Sequence, residues 1–286
     1  MFSLNFELMS TLLLILISIL AGTAYWLRVQ FKGRVRFDRV DRQGGSALLS
    51  KSVMEGAYWF LQPFGKLLVA CHITPNQISW ASLFLGAIAG CCLAFGHFGS
   101  AGIFAAISAL LDSLDGMVAR LTGMASDAGE VLDAAVDRYS EFFFLGGLAI
   151  YYREVPGLMI LALVALLGSF MISYSSAKAE ALHVDPPKGS MRRPERALYL
   201  ILGATLSPVT IPLFETDRTF PIAVGHPMIF ALGLVAVMAN LSAIERMYHI
   251  AKAIRVREAE VLEARRRVAQ TVLEKADEPV QSVSRY

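Results

Sequence analysis

Apolar residues fall into seven long runs separated by short polar breaks: 8–27, 77–95, 101–119, 132–151, 157–177, 197–214 and 228–248. Each run approaches the ~20 residues that a helix needs to cross the hydrocarbon core of a bilayer. The pattern therefore predicts an all-α integral membrane protein. The first run is too long for a signal-peptide core, has no basic segment ahead of it and no small-residue cleavage site after it, so it reads as a retained anchor.

Two segments break the pattern. Residues 28–45 are basic and polar. Residues 48–69 then carry Trp59, Phe60, Phe64, Leu67 and Leu68 between Lys51 and Lys66, which predicts a helix lying in the membrane interface. After the last run, 252–275 mixes Glu and Arg at helical spacing, as a solvated helix does, with fraying expected beyond Pro279. The expected division is an N-terminal anchor with a basic linker (1–47), a membrane domain (48–250) and a charged cytosolic tail (251–286).

Composition supports the membrane reading. Of 286 residues, 55% are hydrophobic and 17% charged, against about 45–50% and about 25% in soluble domains. A net charge of +2 gives no footprint for a nucleic-acid partner. Cys71, Cys91 and Cys92 cannot build a disulfide framework, and no Cys/His spacing suits zinc. The 26 Lys and Arg residues are strongly partitioned: only Arg153 and Arg218 fall in the 96–100, 151–157 and 215–227 connections. The positive-inside rule then puts the N-terminus outside and the C-terminus in the cytosol.

The chemistry is concentrated in 111–141, which holds Asp112, Asp115, Asp127, Glu130, Asp133, Asp137 and Glu141. Acids inside membrane helices are expensive and normally face an interior site. Asp112 and Asp115 share one helix face, as do Asp133 and Asp137. The short link between the two runs makes their helices antiparallel neighbours, so the pairs meet at the cytosolic end. Four converging carboxylates repel unless cations neutralise them. Oxygen donors without His or Cys indicate Mg2+, Mn2+ or Ca2+, and two such ions clamp a phosphate or pyrophosphate. Arg120 is placed to meet a phosphate. An ion or proton path is the competing use of such acids. A purely structural cluster would need more bases than Arg120 and Arg138.

Written out, the segment is Asp112-x2-Asp115-Gly116-x2-Ala119-Arg120-x8-Gly129-x3-Asp133-x3-Asp137. It resembles, at each fixed position, the signature of the CDP-alcohol phosphotransferase family. Thr74-Pro75-Asn76-Gln77-Ile78-Ser79 is similar to that family's entry into its first span. The resemblance covers about residues 50–250 and implies an interfacial helix followed by six spans, to which this chain adds one N-terminal span. It implies a transferase of phospholipid synthesis in the cytoplasmic membrane that displaces CMP from CDP-diacylglycerol with a small alcohol, depends on two Mg2+ or Mn2+ ions and works as a homodimer. Carried over, Asp112, Asp115 and Asp133 would bind metal. Asp137 would touch a metal and take the acceptor's proton, while Asn76, Gly116, Ala119, Arg120 and Gly129 would surround the nucleotide. A binding or transport protein on the same scaffold is the alternative class.

Ser173-Tyr174-Ser175-Ser176-Ala177-Lys178-Ala179-Glu180 and Arg192-Arg193-Pro194-Glu195-Arg196 resemble segments of the inositol-phosphate-using branch. Ser176 stands where that branch usually has Lys, and Lys178 where it has Arg. Lys178, Arg193 and Arg196 are the expected acceptor-binding residues, and the expected acceptor is inositol phosphate or another polyol phosphate. Glycerol 3-phosphate, free inositol and serine stay open.

Overall fold

Each apolar run forms a helix in the computed structural model, which describes residues 2–35, 37, 40, 50–185, 189, 191–214, 222 and 225–276. The helices are α1 (Phe2–Lys32), α2 (Lys51–Ala70), α3 (Pro75–Ala94), α4 (Phe98–Thr122), α5 (Asp127–Tyr151), α6 (Pro156–Ala181), α7 (Arg193–Phe214) and α8 (His226–Ala276). Among the described residues there is no strand. Part of the expected basic linker, most of the 215–227 connection and the end of the tail lie outside the described residues.

Among the described residues, six helices are long and apolar enough to cross a membrane: α1, α3, α4, α6, α7 and α8. The seventh predicted run, α5, is 25 residues long, about 37 Å at 1.5 Å per residue. Its first half carries the acids, which lowers its hydropathy without shortening it. It also starts at Asp127 and not near 132, because Ser126 caps it by accepting from the Gly129 amide at 3.1 Å, and Asp127 and Glu130 suit the positive end of the helix. At the other end of the chain, the last span and the charged tail form one 51-residue helix. Hydropathy drops at the membrane boundary, but the backbone ladder continues through it.

Most buried positions of the main core come from α3 to α8, and many are alanines, such as Ala89, Ala101, Ala162 and Ala239. Large apolar side chains such as Phe84, Phe230 and Leu213 are exposed instead. That inversion suits a lipid environment, where close backbone approach drives association. Helix α3 packs on both α4 and α5, which flank it; the two acid-bearing helices touch each other far less than they touch α3, contrary to the adjacency expected from their short link. At the α3–α5 contact a Cβ on Gly147 would overlap the Gly90 carbonyl, whereas Gly146 faces open space. Gly147→Ala is expected to lower stability by about 1–3 kcal/mol through overpacking, and Gly146→Ala to leave it unchanged. Thermal unfolding in detergent reads both.

The turn between α4 and α5 spans only 123–126. Gly123, at φ 68°, takes the left-handed conformation that ends α4. Asp112 and Asp115 therefore lie two to three turns before this corner, and Asp133 and Asp137 two to three turns after it. At its other end α4 begins without a side-chain cap from His97. Glu7 of α1 supplies one: its carboxylate accepts from the Gly99 amide at 2.6 Å, the Ser100 amide at 3.1 Å and the Ser100 hydroxyl at 2.7 Å. Thr11 donates to the Thr205 carbonyl at 2.9 Å, and Tyr25 of α1 stacks near Trp59 of α2. The extra N-terminal helix is thus packed into the bundle and touches the interfacial helix as well.

Candidate metal and acceptor site

Asp112, Asp133 and Asp137 each present a carboxylate oxygen within 4.8 Å of the others. Oxygens on one Mg2+ or Ca2+ ion sit at about 2.0–2.6 Å from it, so this spacing is within small side-chain adjustments of a shared cation. The donors are all hard oxygens, as such a cation requires. Asp115 lies near enough to feel the charges of Asp112 and Asp133, but its side chain turns toward α3. There it accepts from the Ser79 hydroxyl at 2.6 Å.

Arg193, at the start of α7, reaches into this cluster. Its Nη1 and Nη2 donate to the two oxygens of Asp112 at 2.9 and 3.1 Å, and Nη2 lies 2.5 Å from Asp137 Oδ1. Arg193 thus sits at the boundary between carboxylates and cations. Arg196, one turn further, is fully buried and donates to Glu141 Oε1 from Nε at 3.1 Å and from Nη2 at 2.6 Å. Its Nη1 has no hydrogen-bond partner. Lys178 is in the last turn of α6 and exposed.

Sequence reasoning missed two residues here. Arg246 of α8 is 9% exposed and donates from Nη1 to Ser176 Oγ at 2.7 Å, while its Nε is buried without a partner. It lies close enough to Arg192 and Arg196 to feel their charges. Gly189, in the α6–α7 connection, closes over it: a Cβ there would overlap Ser242 Oγ and Arg246 Nε. Buried guanidinium groups that repel each other and keep unpartnered donors are unfavourable unless an anion joins them. Glu141 was visible as an acid, but its role as the partner of Arg196 was not. A single basic residue within an apolar run was the available signal for Arg246.

The expected nucleotide residues are split between helix ends. Asn76 is exposed in the first turn of α3. Gly116, Ala119 and Arg120 follow Asp115 on α4, with Arg120 exposed, and Gly129 is in the first turn of α5. They surround the α4–α5 corner on the same side as the carboxylates. The acceptor candidates approach from α6, α7 and α8. Of these candidates Arg193 contacts the carboxylate trio directly, through Asp112 and Asp137.

The family model described as CDP-alcohol phosphatidyltransferase matches residues 72–238. The phosphatidylinositol phosphate synthase of Corynebacterium glutamicum is 29% identical over 193 residues, covering 66% of this chain and 87% of that protein. The archaetidylinositol phosphate synthase of Pyrococcus horikoshii is 30% identical over 195 residues, covering 67% and 91% respectively. A solved structure of the Mycobacterium tuberculosis phosphatidylinositol phosphate synthase, in complex with manganese and citrate, superposes with a TM-score of 0.57 at 25% identity, over 66% of this chain and 87% of that one.

Proposed function

Since the chain belongs to the CDP-alcohol phosphatidyltransferase family, and is thereby a multi-pass, divalent-metal-dependent membrane transferase of phospholipid synthesis, we propose that its acceptor is a polyol phosphate, with inositol phosphate as the best fit. The observation that carries this is the buried pair Arg196 and Arg246, each of which keeps a side-chain nitrogen without a hydrogen-bond partner. An uncharged acceptor would leave these donors unmet. The relatives named phosphatidylinositol phosphate and archaetidylinositol phosphate synthases support the same choice.

In this reading the acceptor's phosphate is held by Arg196 and Arg246, with Arg193 and Lys178 at its edge. Its hydroxyl oxygen attacks the lipid-bearing phosphorus of CDP-diacylglycerol. The bond from that phosphorus to the CMP oxygen breaks, CMP leaves, and the hydroxyl proton passes to the carboxylate of Asp137. Asp112, Asp115, Asp133 and Asp137 would hold two divalent cations, which would supply charge neutralisation at the pyrophosphate. Asn76, Gly116, Ala119, Arg120 and Gly129 line the nucleotide side. The concentration of Lys and Arg at the carboxylate end supports an active site facing the cytosol from the cell membrane. The reading includes a homodimer, and a membrane domain of 48–250 flanked by 1–47 and 251–286.

The test is CMP release from CDP-diacylglycerol with Mg2+ and a panel of inositol phosphate, inositol, glycerol 3-phosphate and serine. Inositol phosphate is expected to support the fastest turnover. Arg246→Ala is expected to raise its KM by about tenfold or more, the worth of one bond to a charged group, with little change for the donor. Faster turnover with inositol or serine, or a wild-type acceptor KM in Arg246→Ala, would reject the anionic acceptor.

A further inference from the structure

Asp115 has a dedicated partner outside the family signature's acids. Its side chain is 6% exposed, beside the like charges of Asp112 and Asp133. Repulsion from those neighbours pushes this carboxylate away from them. Two donors fix where it comes to rest: the Gly116 amide at 2.5 Å on Oδ1 and the Ser79 hydroxyl at 2.6 Å on Oδ2. The second distance is in the range of charge-assisted O–H···O⁻ bonds, about 2.5–2.7 Å. Ser79 also has the Pro75 carbonyl within 3.2 Å, but its one proton goes to the nearer, charged acceptor.

Local sequence brings Ser79 to this place. Thr74 and Gln77 form a reciprocal cap at the start of α3, with Pro75 in its first position. That fixes the first turn. Ile78 then packs with Leu114, Met117 and Val118 of α4, holding the turn at the level of Asp115. One turn further, Ser82 donates to the Ser108 carbonyl at 3.0 Å and Ser108 to the Ser82 carbonyl at 2.8 Å. The α3–α4 register is thus secured without Ser79, whose hydroxyl is left for Asp115.

We propose that Ser79 is a positioning residue for cation binding, fixing the Asp115 carboxylate in one orientation at the α3 edge of the Asp112, Asp133 and Asp137 cluster. This rests on the reading of Asp115 as a metal ligand. A group fixed in this way is in place before the cation arrives, so less ordering is needed on binding.

The experiment is a Mn2+ titration of the full chain in detergent, followed by electron paramagnetic resonance, alongside thermal unfolding. Ser79→Ala is expected to weaken Mn2+ binding by about tenfold, and Ser79→Thr, which keeps the hydroxyl, to restore most of it. Ser82→Ala, a buried serine on the same helix, is expected to lower the unfolding temperature while leaving Mn2+ affinity near wild type. Wild-type Mn2+ affinity in Ser79→Ala, or an equal loss in Ser82→Ala, would overturn the positioning role. Asp115→Asn separates the two levels. If it weakens Mn2+ and Ser79→Ala does not, only the role of Ser79 fails. If Asp115→Asn itself binds Mn2+ normally, the ligand reading fails and the role of Ser79 with it.

Discussion

Asp137→Asn is expected to slow phosphatidyl transfer by at least about a hundredfold, since general-base catalysis contributes roughly 10²–10⁴, while the protein keeps its fold and its lipid donor. Asparagine matches the shape of the carboxylate but takes no proton at neutral pH. The fold should survive because the side chain is one of two carboxylates held by Arg193, and Asp112 keeps both of its bonds to that guanidinium. Asp112→Asn should behave differently. Both acids belong to the oxygen trio, but Asp112 is also the bidentate partner of Arg193, whereas Asp137 meets it through one oxygen, so loss of the Asp112 charge weakens the cation site more. Donor binding that depends on the cation should fall with it. Single-turnover CMP release, measured beside equilibrium binding of CDP-diacylglycerol, separates the outcomes. Equal collapse of donor binding in both variants would remove the separate base role from Asp137.

The same pair shows what a sequence can carry. The eight-residue signature sits in one stretch of 26 residues, and its helical spacing alone predicted that two acid-bearing helices meet at a short corner. The capped start of α3 also follows from local sequence, through Thr74 and Pro75, whereas the Ser126 cap that starts α5 at Asp127 lies outside the apolar run from 132 on which the prediction of that helix rests. Contacts between distant segments were out of reach. Arg246 lies 70 residues from the Ser176 hydroxyl that it donates to, and Glu7 lies 92 residues from the Gly99 amide that it caps. Periodicity reports which face of a helix is apolar and says nothing about its neighbour. Ser79 was legible as part of an N-terminal motif, but its partner was not.

Hydropathy failed in a different way at α5 and α8. It measures transfer to lipid residue by residue, and the acid-rich half of α5 reads as polar although the backbone is as long as that of its neighbours. In α8 it stops the span near 248, although nothing in the sequence breaks the helix before Ala276. Under the proposed function the acids in the first half of α5 serve ligands, which accounts for its low hydropathy. The extension of α8 brings Arg257 to the Leu182 carbonyl at 3.0 Å, tying the tail to the end of α6.

Arg196→Ala is expected to produce the largest loss of stability, about 3–5 kcal/mol, the usual result of removing one partner from a buried ion pair. Arg196 is 1% exposed and donates twice to Glu141 Oε1. Without it Glu141 remains beside Asp137 on α5 with its charge uncompensated, and the carboxylate cluster gains one more repelling member. The proposed acceptor pocket loses a cation in the same step. Stability and acceptor KM should therefore both suffer, so the single variant cannot apportion them. The double variant Arg196→Met/Glu141→Leu can. Replacing both members with apolar side chains removes the buried charge altogether, which is often neutral or stabilising. Thermal unfolding in detergent should show the double variant recovering most of the stability lost in Arg196→Ala. Its acceptor KM should stay high, because the guanidinium that met the phosphate is still absent. A double variant as unstable as Arg196→Ala would mean that Arg196 holds the bundle through something other than Glu141. A double variant with a wild-type acceptor KM would leave Arg246 as the phosphate-binding group and reduce Arg196 to the partner of Glu141.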